Sequence, residues 1–366
     1  MDKKPEFHGS DIEQISQYYH IPQEDIVSFG ANVNPLGLSE HVKAQLASHL
    51  DVITRYPDRN YTKLKETIGA YCHADPEHIV VGNGSTELIS LLISGLRPEK
   101  ALVVGPTYSE YARELSLVGG SLEYYNLREE KGFALDVPDL LAALDPDTGL
   151  LVICNPNNPT SSALAWTQLE EVLRFCREKG IFVMIDETYA EFAPDPEAIT
   201  AIGLVPKYDN FMVIRGVSKY FAAPGLRFGY GITSSRAFLD ILHRHQNPWS
   251  LSSIGAFAGG LMLEDDTYIR KTWNLIDSER TRLFGELCTW KDVKTYRPYA
   301  NFILVRLLRE GLTSSGVFEH AIRQGLMIRD CSSFRSLDGE YIRFCIMHPE
   351  DNDRLMACLR GYLGGE

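Results

Sequence analysis

Four short apolar runs set the frame: "ALVVG" (101–105), "LLVIC" (150–154), "IFVMID" (181–186) and "FMVIRG" (211–216). Each is continuous, where a strand with one wet face would alternate. A strand that is apolar throughout is covered on both faces, as in a parallel sheet with helical crossovers. Helical patterns lie between the runs. "STELISLLISGL" places Leu88, Leu91, Leu92 and Gly95 on one stripe, and "WTQLEEVLRFCREKG" carries a stripe that closes on Gly180 as a C-cap. The alternation predicts an α/β fold: a doubly wound, mostly parallel sheet. After about residue 275 the texture changes to a long polar helix, then "NFILVRLL", "GLMIRD" and "YIRFCIM", an α+β unit. The expected division is an arm and the start of a small domain over 1–45, a large domain over 46–275, and the rest of the small domain over 276–366. The segment "APDPEAITAIGLVPKYD" is expected to be a loop.

Charge narrows the partners. The 366 residues are 44% hydrophobic and carry a formal net charge of −13. Neither a nucleic-acid groove nor an anionic membrane surface suits such a chain, although local basic clefts for small anions do. No apolar run reaches spanning length, and "MDKKPEFHGSDIEQ" is too polar for a signal peptide. Seven scattered cysteines without metal-ligand spacing point to reduced thiols, no metal site and a cytoplasmic setting.

Polar motifs follow the expected strands. "GNGSTE" (82–87) comes after "HIVV", "GPTYSEY" (105–111) after "ALVV", and "NPNNPT" (155–160) after "LLVIC". "DETY" (186–189) closes "IFVMI", and Lys219 follows "FMVIRGV". Ligands of open α/β sheets bind at that edge, and five motifs on one edge suggest a site. A lysine attacks an aldehyde only when it can lose its proton, which burial near other cations such as Arg227 favours. Asp186 ends a buried run, and a buried carboxylate needs a cation or strong donor. A protonated pyridine nitrogen is such a partner, the pairing by which proteins make pyridoxal phosphate an electron sink. Tyr189 and Asn158 are placed to donate to that ring's phenolic oxygen, and Tyr108 to stack on its face. Gly84 lets the backbone approach an anion, Ser85 and Thr86 open a helix whose free N–H groups attract one, and Ser218 and Arg227 add a hydroxyl and a fixed charge.

The set "NPNNPT", "DETY" and "SKYFAAPGLRFGY" resembles the fold-type I, class I/II pyridoxal-phosphate-dependent aminotransferases over nearly the whole chain. The resemblance implies that Lys219 holds pyridoxal 5'-phosphate covalently, that Asp186 faces its ring nitrogen, and that Tyr189 and Asn158 face its ring oxygen. It also implies that Tyr108 stacks on the ring and that Ser85, Thr86, Ser218 and Arg227 hold the phosphate. Tyr56, in "RYPD", is implied to reach the phosphate in a neighbouring subunit, hence a homodimer with shared sites. In this family Gly usually stands where this chain has Ser161.

Nearer still, "EFHGSDI", "FGANVNPLGL", "YPDRNYTKLKETI", "GNGSTELI" and "IRDCSSF" resemble the threonine-phosphate decarboxylases of the cobalamin pathway, relatives of histidinol-phosphate aminotransferases. That resemblance implies a small phosphorylated amino-acid substrate. Arg343 would bind its carboxylate or phosphate region, Arg329 would bind the phosphate, which His8 would also approach, and Asn32 and Asn34 would line the carboxylate. Arginine's planar fork suits both anions. Decarboxylation of threonine phosphate or serine phosphate is expected, with transamination of histidinol phosphate or an aromatic amino acid as the alternative. A remoter alternative is a catalytically silent binding protein or cofactor-sensing regulator on this fold; such regulators carry an extra DNA-binding domain, for which no spare length or basic segment is expected here.

Overall fold

The computed structural model describes Phe7 and residues 9–363. Its largest sheet has seven strands, in spatial order Ile79–Gly82, Gly229–Ile232, Phe211–Gly216, Phe182–Asp186, Leu150–Cys154, Lys100–Gly105 and Ser121–Asn126. All neighbours are parallel except Gly229–Ile232, which runs antiparallel to both of its own. The four apolar runs are therefore strands.

Alternation along those strands feeds two cores. On one face Val80, Val103, Val152, Met184 and Met212 meet Leu88 and Leu92 of the helix Ser85–Leu96, Tyr111 of Glu110–Val118, and Leu242 of Arg236–His245. On the other, Val81, Leu102, Ile153, Ile185 and Val213 meet Leu169 and Val172 of Trp166–Lys179. Both faces are dry, as the continuous apolar runs require. Trp166–Lys179 ends on Gly180 in the left-handed conformation at φ 72°, the C-cap expected of it. The stripe of Ser85–Leu96 turns slightly from expectation: Leu88, Ile89, Leu92 and Ile93 are buried, while Leu91 and Gly95 are only partly so. Gly95 lies against Ile241, which a Cβ there would approach to 2.7 Å.

The second sheet is antiparallel, in the order Arg329–Asp330, Tyr341–Cys345, Phe302–Leu307 and Val293–Thr295. The helices Ser314–Ile322 and Pro349–Leu363 accompany it. The helix Asp266–Leu287 begins well before the texture change near residue 275, because its first half is as amphipathic as its second. The N-terminal stretch joins this end of the molecule: Val27–Ser28 pairs in parallel with Leu326–Met327, and the Cys345 amide donates to the Phe29 carbonyl at 2.8 Å. Residues near both ends of the chain thus meet across the carboxyl ends of the large sheet. The segment expected as a loop holds one short 3-10 turn, Ile202–Leu204. Among the described residues no helix is long and apolar enough to cross a membrane, no His/Cys/Asp/Glu cluster could hold a metal ion, and all seven cysteines are free.

Candidate active site

A cavity of about 360 Å³ opens where the large sheet's carboxyl edge faces the small sheet. It is lined by Ser85, Thr86, Tyr108, Asn158, Asp186, Tyr189, Ser218, Lys219 and Arg227 from the one side. Asn32, Arg329 and Arg343 line it from the other.

Asp186 is the last residue of its strand and only 4% exposed. Both of its oxygens are engaged. Oδ1 accepts from the Thr188 amide at 2.9 Å and the Thr188 hydroxyl at 2.6 Å, and Oδ2 accepts from the Tyr111 hydroxyl at 2.6 Å. Three donors fix the carboxylate in place and leave lone-pair capacity for one more, such as a protonated ring nitrogen.

Lys219 follows the neighbouring strand Phe211–Gly216. Its Nζ donates to the Ala31 carbonyl at 2.7 Å. Burial lowers the Lys219 ammonium to about 8; the Arg343 charge acts in the same direction, Cys345 opposes it, and Arg227 adds the smallest lowering effect. An amine with that pKa is a competent nucleophile and proton carrier near neutrality.

The anion cradle is built by glycine. Gly84 has φ +84°, and a Cβ there would sit 2.5 Å from Arg227 Nη2. A Cβ on Gly229 would run into the Ser85 backbone. These two absences of side chain let Arg227, itself at φ 56°, lie against the start of the helix Ser85–Leu96. The first-turn N–H groups there have no intrahelical acceptor, so a phosphate finds donors, dipole and a guanidinium together.

Tyr108 is half-buried beside the cavity, with burial raising its hydroxyl to about 12. Its ring meets Tyr111 edge-on at 5.6 Å. Tyr189 packs edge-on against Phe302 at 5.0 Å, and its hydroxyl accepts from Asn32 Nδ2 at 3.3 Å. Burial raises that hydroxyl too, so Tyr189 is a donor. Arg343 donates from Nη2 to the Gly30 carbonyl at 2.6 Å and from Nη1 to Asn158 Oδ1, and it lies 5.2 Å over the Phe302 ring. Arg329 donates to the Phe7 carbonyl and, at 2.7 Å, to Ser333 Oγ. Burial and then the neighbouring Arg343 charge lower the Arg329 guanidinium.

Not every expected residue reaches the cavity. Asn34 lies beneath it, with its amide spent on the Tyr220 carbonyl at 2.7 Å, Thr272 Oγ1 at 2.8 Å and the Tyr268 hydroxyl at 3.0 Å. Tyr56 is 80% exposed and rests against Trp249 at 4.9 Å, away from this chain's own cavity. His8 lies outside the described residues. Conversely, Tyr111, Thr188, Thr107 and Arg335 belong to the lining without having been expected. Thr188 follows Asp186 by two residues within "DETY", and Tyr111 follows Tyr108 by three within "GPTYSEY", so spacing carried a signal for both.

Among the described residues, several buried polar atoms of the wall lack a partner: Asn32 Oδ1, Thr107 Oγ1 and Arg343 Nε. Orphaned groups are rare in finished interiors, and here they converge on a space with an amine, a carboxylate and an anion cradle. The residues present therefore fit pyridoxal phosphate, and the fold and site define a cofactor enzyme that works on amino compounds. The chain belongs to the class I and II aminotransferase family, whose model matches residues 24–359. That family depends on pyridoxal phosphate, and so does this enzyme. The chain is 34% identical to the threonine-phosphate decarboxylase of Salmonella typhimurium over 98% of its own length and 97% of the relative's. It is 30% identical to the histidinol-phosphate aminotransferase of Methanococcus aeolicus over 96% and 94%. The crystal structure of the histidinol-phosphate aminotransferase from Clostridium acetobutylicum superposes with a TM-score of 0.86 at 31% identity, covering 92% of this chain and 98% of that one.

Proposed function

We propose that this enzyme decarboxylates a phosphorylated amino acid, O-phospho-L-threonine or O-phospho-L-serine, to a phosphorylated amino alcohol. The observation that carries the reading is the pairing of Arg329 with Arg343. They are direct partners on adjacent antiparallel strands, so their side chains leave the same face. Like charges placed so repel and destabilise, an arrangement that makes sense where two anionic groups arrive between them. A threonine phosphate brings a carboxylate and a phosphate in one molecule, matching the pair.

Lys219 would anchor the cofactor, Asp186 would hold the positive charge on its ring nitrogen, Tyr189 and Asn158 would meet its ring oxygen, and Tyr108 its face. Gly84, Ser85, Thr86, Ser218 and Arg227 would receive its phosphate. When bound, pyridoxal phosphate supplies a sink for the electron pair of the bond broken at the substrate's Cα. Arg329 and Arg343 would decide which bond that is, by fixing the rotation of the substrate about its Cα. Asn32, held against Tyr189, closes the wall beside them. Once the substrate amine had taken its place and freed it, Lys219 would be the group that returns a proton to Cα after the carboxylate is lost as carbon dioxide. Tyr56 would complete the phosphate site of a second copy, making the enzyme a dimer with shared sites.

The test is to incubate holoenzyme with O-phospho-L-threonine and no keto acid. Carbon dioxide release is expected. A strict requirement for 2-oxoglutarate, with glutamate formed, would instead make the enzyme an aminotransferase.

A further inference from the structure

Four arginines line the cavity, and three are tied into the protein. Arg227 donates to the Pro224 carbonyl at 3.2 Å, Arg343 to Gly30 and Asn158, and Arg329 to Phe7 and Ser333. The fourth, Arg335, is exposed at the mouth and has a different environment. Among the described residues no carboxylate or carbonyl engages it. Its guanidinium lies 4.7 Å over the ring of Tyr124, which also lines the cavity.

The arrangement is held from both sides. Tyr124 belongs to the edge strand Ser121–Asn126 of the large sheet, and its ring fits against Gly105, where a Cβ would come within 3.1 Å of it. The segment carrying Arg335 emerges from the small sheet. Ser333 is bound by Arg329, and Phe334 lies 5.5 Å beneath the Arg329 guanidinium. Ser336, at φ 67°, sends its hydroxyl back to Asn126 Oδ1 at 3.4 Å. Arg335 is thus stretched between the two sheets, directly after the Ser333–Phe334 pair that Arg329 engages, and lines the same cavity.

A guanidinium flat on an aromatic ring keeps its in-plane N–H groups pointing outward, and the stack removes much of the rotational freedom that binding would otherwise have to freeze. A chain of net charge −13 that leaves an arginine unpaired at the mouth of an arginine-lined cavity concentrates positive potential there. We propose that Arg335 is a specificity-determining residue that takes the outer oxygens of the substrate's phosphate while Arg329 takes the inner ones. The proposal rests on the reading that the substrate is phosphorylated. A dianion with three oxygens accommodates two planar forks, and Arg329, already donating to two protein oxygens, does not fill that capacity alone.

The experiment compares kcat/KM of holoenzyme for O-phospho-L-threonine and for L-threonine, with inorganic phosphate as competitor. In the wild type the ratio favours the phosphorylated substrate and falls with added salt. Arg335→Gln should lower that ratio about ten- to thirtyfold, through KM more than kcat, and weaken phosphate inhibition in step. Arg335→Lys, which keeps charge but loses fork and stack, should fall between. Tyr124→Leu should move the ratio in the same direction by a smaller factor. A wild-type preference that survives Arg335→Gln undiminished overturns the role of Arg335 and leaves the proposed reaction standing. A wild type with no preference for the phosphorylated substrate removes both.

Discussion

The cavity has two walls of unlike origin. The large-sheet wall is assembled from motifs that directly follow strands: Thr107 and Tyr108, Asn158, Asp186, Lys219. Each position is set by a strand end a few residues away, and the strands are locked by burial on both faces. The opposite wall draws Gly9, Asn32, Arg329 and Arg343 from the two ends of the chain. Those residues are held together by the pairing of Val27–Ser28 with Leu326–Met327 and by bonds from Cys345, Arg343 and Arg329 to the Phe29, Gly30 and Phe7 carbonyls. Rigid positioning suits a bound cofactor, which must not shift between turnovers. A wall joined by short pairings and side-chain bonds suits substrate recognition.

The largest test falls on the first wall. Lys219→Arg keeps a cation but loses the amine with a pKa near 8, so kcat should drop about 10³-fold or more. The cofactor's absorbance in the variant should no longer respond to borohydride. Retained borohydride sensitivity would mean that another group holds the cofactor.

Behind the same wall, Glu191 follows Tyr189 by two residues and is buried with Arg215, Glu187, Tyr71, Tyr220 and Cys72 around it. Its Oε1 accepts from Tyr71 at 3.3 Å, while Oε2 has no partner among the described residues. Desolvation raises the carboxyl to about 7, against the opposing pull of Arg215. A raised folded-state pKa means that the folded protein binds the proton more tightly. The contribution is complete below the unfolded value near 4.5 and is lost as pH climbs to about 7. That loss is about 3 kcal/mol. Glu191→Gln should match wild type at pH 4.5 and exceed its unfolding free energy by up to this amount at pH 8. Parallel pH profiles for the two proteins would show that folding leaves the Glu191 carboxyl unshifted.

On the second wall the expected signature differs. Arg329→Gln should cut kcat/KM for O-phospho-L-threonine about thirty- to a hundredfold. Substrate-free stability should change by no more than about 1 kcal/mol, because relief of repulsion from Arg343 offsets the lost bonds to Phe7 and Ser333. A collapse in stability would make Arg329 a structural residue first.

The unequal walls explain what the amino-acid order revealed. Asp186 and Lys219 stand out because a charge at the end of an apolar run is anomalous by itself. The edge strand Ser121–Asn126 does not stand out: one edge lacks a neighbour, half its side chains are wet, and "SLEYYN" reads as neither run nor turn. Gly229–Ile232 is hidden by its glycines, which the cradle and Met212 require. Arg335 carries no local mark because its meaning lies in Tyr124, more than two hundred residues earlier. Asn34 shows the converse, a polar residue in an expected binding loop whose amide the interior consumes.

Ser161 joins the two walls and gives the smallest effect. It stands at φ 59°, the left-handed conformation in which glycine is unstrained, consistent with the glycine common at this position in the resembling family. Its hydroxyl accounts for the exception. Oγ accepts from the Ala300 amide at 2.9 Å and the Tyr299 amide at 3.1 Å, and its carbonyl accepts from Tyr299 at 2.8 Å. The loop after Asn158 is thereby bolted to the chain that enters the strand Phe302–Leu307. Ser161→Ala keeps the backbone strain and orphans the buried Ala300 N–H, a loss of about 1–2 kcal/mol. Ser161→Gly orphans the same donor but recovers about 1 kcal/mol of strain, so it should sit between wild type and Ala in unfolding free energy. A glycine variant more stable than wild type would show that the strain outweighs the hydroxyl, and that the bolt between the walls is held by the Tyr299 amide alone.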